Sequence, residues 1–83
     1  MERLRSLPHV VGLKQSEKAI RRGGVTLAFL AEDTDFYLAE PFLSLCEETG
    51  VPVEKVESKK VLGKACHVDV PVACAVILNQ NSH

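Results

Sequence analysis

Residues 25–31 (VTLAFLA) and 72–78 (VACAVIL) lack the apolar–polar alternation of a half-buried strand. Strands of this kind are buried on both faces, which predicts the centre of a sheet covered by helices on each side. Shorter strands are predicted at 9–11 and 53–56, and Pro52 places the second at a sheet edge or a strand start. Elsewhere the apolar positions recur at helical spacing. A helix is predicted from Lys14 to Arg22, stopped by Gly23-Gly24. A second lies between Asp35 and Thr49, with Phe42, Leu45 and Cys46 as its apolar stripe and Gly50 as its end. Pro41 either begins its regular part or kinks it. A third starts after Ser58, a residue suited to the N-cap, and runs to about Ala65. Leu4 and Leu7 fit a short N-terminal helical turn, and residues 79–83 a polar tail. Strands alternating with helices predict an α/β protein: a three-layer α/β/α sandwich with a mixed sheet of about four strands. At 83 residues the chain suffices for one domain, spanning 1–83.

Charge adds what hydropathy does not show. The net charge is only -1, but it is strongly segregated. Residues 1–24 carry six basic and two acidic side chains, and residues 25–57 carry one basic and eight acidic. Residues 58–83 return to three basic and one acidic. A near-neutral total argues against bulk nonspecific nucleic-acid binding but allows a local basic patch with a defined target. The apolar runs are far too short to span a membrane, and the N-terminus has no signal-peptide core. A cytoplasmic location is expected.

Catalytic and metal chemistry find little support. Cys46, Cys66 and Cys74 have no CxxC spacing and sit among apolar neighbours, so they are expected to be free thiols of the core. His9, His67 and His83 form no ligand set, and no phosphate-binding glycine loop is present. Glu32-Asp33-Thr34-Asp35 follows a central strand, where paired carboxylates could bind a metal or act as acid and base. Capping of the helix that begins near Phe36 accounts for them more simply.

Two segments remain open to a functional reading. Gly12-Leu13-Lys14-Gln15-Ser16-Glu17-Lys18 is a turn opening a helix, and Lys14, Lys18, Arg21 and Arg22 share one side of that helix. They either solvate an amphipathic helix, with Glu17 pairing Arg21, or serve a ligand. In the second case Gly12 admits close backbone approach, Lys14 and Gln15 reach base edges, and Lys18, Arg21 and Arg22 take phosphates. The loop Ala65-Cys66-His67-Val68-Asp69-Val70 carries valines that either tuck inward or pack on something extruded from a ligand.

The order and spacing of these pieces resemble the ribosomal L-seven-Ae family of kink-turn RNA-binding proteins, whose fold is an α/β/α sandwich. The resemblance runs from about Leu7 to Leu78. It rests on Gly12-Leu13-Lys14-Gln15 followed by Lys18-Ala19, on Leu30-Ala31-Glu32-Asp33, and on the run from Leu45 to Pro52. The stretch Val56-Glu57-Ser58-Lys59-Lys60-Val61-Leu62-Gly63-Lys64-Ala65-Cys66 and the apolar last strand complete it. The resemblance implies a non-enzymatic protein that needs no cofactor. Lys14 and Gln15 would meet guanine edges at the sheared G·A pairs of a kink-turn, beside Gly12 and Leu13. Lys18, Arg21 and Arg22 would hold the backbone, Lys59 would be a further RNA-binding residue, and His67, Val68, Asp69 and Val70 would pack on the extruded bulge. The partner implied is structured RNA containing kink-turns, ribosomal RNA included, bound by a monomer with no membrane involved. Two departures stand out: Lys14-Gln15 replaces the Asn-Glu of archaeal and eukaryotic members, and His67 stands where many relatives have Gly. The alternative is a protein-interaction adaptor of the same fold, using the acidic middle segment and binding no RNA.

Overall fold

The computed structural model describes residues 9–78. The suggested N-terminal turn at Leu4 and Leu7 and the tail at 79–83 lie outside the described residues. The elements run β1 (His9–Val11), α1 (Leu13–Arg22), β2 (Val25–Ala31), α2 (Phe36–Thr49), β3 (Val53–Val56), α3 (Lys59–Ala65) and β4 (Cys74–Leu78). The sheet order is β1-β4-β2-β3, with β4 antiparallel to both neighbours and β2 parallel to β3. The two strands that lack a polar face are the two central ones. β3, which follows Pro52, is an edge.

Each central strand serves both layers because its side chains alternate between faces. Leu27, Phe29 and Ala31 of β2 and Ala75 and Ile77 of β4 join Val56, Leu62, Ala65, Cys66 and Val72 beneath α3. Ala28 and Leu30 of β2 and Cys74 and Val76 of β4 meet Ala19 and Ile20 of α1 and Phe42 and Cys46 of α2 on the other face. Phe29 and Phe42 are fully buried, each contributing about 1.5–3 kcal/mol from burial.

The ends of the helices follow the sequence signals, with three corrections. Gly23 and Gly50 close α1 and α2 in the left-handed conformation, and the Ser58 hydroxyl accepts from the Val61 amide at 3.2 Å to cap α3. First, Pro41 lies inside α2, which begins five residues earlier at Phe36. Its exposed ring faces solvent, so the helix tolerates the missing amide. Second, β4 begins at Cys74, not at Val72. Val72 is buried, but its amide donates to the Lys59 carbonyl of α3 at 3.0 Å rather than to a neighbouring strand. Third, the acidic loop does not cap α2 through a side chain. Asp35 occupies the N-cap position with no such bond, and its Oδ2 accepts from the Tyr37 hydroxyl at 3.3 Å. Asp33 instead accepts from the Lys59 amide at 2.8 Å and so secures the start of α3.

Candidate functional site

β1, β2 and β3 all point the same way, because β1 and β2 are both antiparallel to β4 and β3 is parallel to β2. Their C-terminal ends and the approach to β4 therefore meet at one end of the sheet. Four connections are stitched together there. The Gly12 amide donates to the Cys74 carbonyl at 2.9 Å, and the Ala31 amide to the Ala73 carbonyl at 2.8 Å. The Glu32 amide reaches the Val56 carbonyl at 2.8 Å. With the Asp33–Lys59 and Lys59–Val72 bonds, these fix the α1 turn, the acidic loop, the α3 start and the loop before β4 relative to one another.

Gly12 has φ 101° and ψ 153°, a conformation essentially restricted to glycine. Nothing lies within 4 Å of where its side chain would be, so glycine is required here for backbone shape and not for space. No side chain caps α1, and its first turn holds no acidic residue. The positive end of the helix dipole is thus left uncompensated beside exposed Lys14 and Gln15. The remaining cations of the helix lead away from this end. Lys18, Arg21 and Arg22 are exposed, and Arg22 lies eight positions, about 12 Å, along the axis from Lys14. Gln15, Lys18 and Arg22 line a hollow of about 160 Å³ alongside Val10, Gly24 and Leu78.

The loop after α3 is built by a Schellman turn. The Val68 amide donates to the Gly63 carbonyl and the His67 amide to the Lys64 carbonyl, both at 3.1 Å. His67, at φ 62°, is the non-glycine residue in the left-handed region among those described. This is the position where the resemblance places Gly in many relatives, and a left-handed φ is the conformation that glycine adopts at least cost. Val68 follows the turn inward, half-buried against the α3-side core, as the hydrophobic contact of such a turn requires. Of the two ways the loop valines could point, each is used once. Val68 tucks in, and Val70 stays 63% exposed.

Outside the turn lies a groove of about 300 Å³ lined by Lys60, Lys64, Val68, Asp69, Val70 and Pro71. Its lining is mostly apolar and carries two lysines and one carboxylate, Asp69. Lys60 and Lys64 are not legible as site residues in the sequence, although their i, i+4 spacing places them on one face of α3. Lys59 is half-buried, and its backbone serves the framework through Asp33 and Val72. Gly63 was also missed. A Cβ there would collide with the Val70 carbonyl oxygen, so the loop sits against α3 only because residue 63 has no side chain.

Among the described residues, no group of three or more His, Cys, Asp or Glu could hold a metal ion. Cys46, Cys66 and Cys74 are free and buried. Burial raises all three thiol pKa values, and pushes Cys74 up to about 12. The neighbouring Ser16 hydroxyl, itself fully buried, lowers the Cys74 value against that larger effect. The contact is a loose one, since Ser16 Oγ lies in well-formed hydrogen-bond geometry with no neighbour.

Residues 4–83 match the Ribosomal protein L7Ae/L30e/S12e/Gadd45 family. The chain belongs to this family. RNA-binding protein YbxF of Geobacillus stearothermophilus is 42% identical over 69 residues, covering 83% of this chain and 84% of that protein. RNA-binding protein SaurJH9_0567 of Staphylococcus aureus is 38% identical over 68 residues, covering 82% and 79%. A solved structure of the Giardia lamblia 15.5kD RNA binding protein superposes with a TM-score of 0.81 at 32% identity, over 88% of this chain. That alignment spans 62% of the Giardia protein, less than two thirds of its length.

Proposed function

We propose that this L7Ae-family protein binds structured RNA, recognising and stabilising kink-turns in the cytoplasm. The observation that carries the proposal is the juxtaposition at one sheet end of the uncapped α1 start and the Val70 groove. Such an end can hold a phosphate or base edge at exposed Lys14 and Gln15, and an extruded base against Val70 and Pro71, with Lys60 and Lys64 near its phosphate. Lys18, Arg21 and Arg22 extend the positive surface along the helix for a backbone that continues past the turn. The relatives named as RNA-binding proteins support the same class of ligand.

The action is a population shift. A free kink-turn exchanges between extended and bent forms, and a rigid site complementary to the bent form selects it. The four stitched connections supply that rigidity. In this reading the protein acts as a monomer with no cofactor, and ribosomal RNA or a riboswitch could present the target.

A gel shift tests the proposal. The protein should retard a standard kink-turn RNA and fail to retard the same RNA with its sheared G·A pairs replaced by Watson–Crick pairs. Equal retardation of both would leave only general RNA affinity. Retardation of neither would favour an adaptor that binds no RNA.

A further inference from the structure

The outward face of α2 opposes the α1 surface in charge and carries two uncovered aromatic rings. Phe36, Tyr37, Glu40, Pro41, Glu47 and Glu48 fall within an arc of about 140° on that helix, and all are exposed. Phe36 is 76% and Tyr37 73% exposed, while the opposite side of the helix buries Phe42 and Cys46. The sequence of α2 contains no Lys or Arg. Its last turn carries Glu47 and Glu48, the sign that the helix dipole disfavours there. Folding is served by neither feature: exposed rings gain nothing from the core, and terminal carboxylates oppose the dipole.

We propose that this face docks an arginine-rich protein segment. Charge complementarity selects the occupant. Three carboxylates on a helix with no Lys or Arg of its own repel phosphate, which disfavours the RNA that the basic α1 face attracts. Guanidinium groups suit both halves of the surface. They pair with Glu40, Glu47 and Glu48 through planar two-pronged hydrogen bonds, and they stack on Phe36 and Tyr37. Tyr37 is aligned for this, because its hydroxyl is tethered to Asp35 at 3.3 Å. α1 and α2 lie on the same side of the sheet, so a basic segment on α2 would sit beside RNA held by α1. The protein would then join an RNA to a basic polypeptide. This inference does not depend on which RNA is bound.

The chain has one tyrosine and no tryptophan, so ultraviolet-excited emission reports on Tyr37 alone. The intact protein is titrated with an acetylated, amidated arginine–glycine repeat peptide, and with its lysine–glycine counterpart. A saturable change in emission is expected with the arginine peptide, and weaker binding with the lysine one. Phe36→Ala should weaken arginine-peptide binding roughly two- to fivefold. A Glu47→Gln, Glu48→Gln double variant should weaken it further and flatten its salt dependence. Unchanged far-ultraviolet circular dichroism verifies that these surface variants are folded. Kink-turn RNA affinity should be unaltered in all of them. No emission change, or equal binding of both peptides with no effect of Phe36→Ala, would overturn the proposal. Loss of RNA affinity in Phe36→Ala without peptide binding would reassign the rings to nucleic acid.

Discussion

The carbonyl oxygen of Val70 occupies the place where a side chain on Gly63 would stand. One backbone thus seats the loop of the proposed RNA groove directly on α3. Gly63→Ala must push that loop outward or distort the helix, at an expected cost of about 1–3 kcal/mol. Urea unfolding should show a lower midpoint with an unchanged slope, and kink-turn affinity should fall with it. A wild-type midpoint would mean that the loop moves without cost.

Asp33 and Ser58 hold two amides of the first turn of α3, at Lys59 and Val61. Asp33→Ala and Ser58→Ala should each cost about 0.5–2 kcal/mol, the usual range for losing a cap. Both act on the same turn, so the double variant should lose less than the two single losses combined. Strict additivity in denaturant unfolding would show that the two bonds act independently.

Hydropathy alone made most of this architecture legible. Strands with no polar face had to be central, and the glycine stops and the Ser58 cap fixed helix ends to within a residue or two. What could not be read were relationships between distant segments. Asp33 lies next to α2 in sequence, yet its carboxylate reaches α3, 26 positions away. The role of Gly63 depends on how closely a loop returns to a helix, and no local pattern encodes that. The site was legible in parts: the Gly12 turn from glycine followed by a basic helical face, and the His67 loop from its misplaced valines. Lys60 and Lys64 emerged only when folding placed them beside Val70.

His67 is held at φ 62°, where a β-branched residue is strongly disfavoured. His67→Val should destabilise the protein by about 1–2 kcal/mol. His67→Gly should be nearly neutral, because relief of strain offsets the greater freedom of glycine in the unfolded chain. Thermal unfolding of the two variants should therefore diverge. Equal midpoints would mean that the Schellman turn is not maintained in solution.

The Cys74 thiol ionises near 9.0 when unburied and is pushed up to about 12 in the fold. The folded state therefore keeps a proton that the unfolded state releases above pH 9, and stability must fall with rising pH across that window. The stability is fully present below the unfolded value. By about pH 10 the loss from this group should be roughly 1–1.5 kcal/mol. Cys74→Ala lacks the titration and should be less stable at neutral pH but lose less between about pH 8 and pH 10. Parallel losses in the two proteins would place the pH dependence in other groups. In native protein all three thiols should also react slowly with a thiol reagent, Cys66 included, despite its closeness to the loop.

Lys14 and Val70 are the residues at which base-edge contact and apolar packing on RNA can be separated from folding. Both are exposed, so substituting them leaves the core untouched. Lys14→Ala or Gln15→Ala should cost about 1–3 kcal/mol of kink-turn affinity and narrow the preference for a kink-turn over plain duplex. Lys18→Ala or Arg22→Ala should weaken binding to both RNAs alike, and lower the salt slope by roughly one unit per lost phosphate contact. Val70→Asp should lower kink-turn affinity at unchanged stability, because it places a carboxylate in the groove where phosphate would lie. Val68→Asp is the control for the buried side of the same loop. It puts a charge against the α3-side core, so it should lower the unfolding midpoint before any effect on RNA is read. The distinguishing measurement is affinity and midpoint on all six variants. If Val70→Asp binds RNA as the wild type does while Lys14→Ala and Gln15→Ala do not, recognition is confined to the α1 turn and the groove serves another purpose. If all three retain wild-type affinity, the proposed site is not the RNA site.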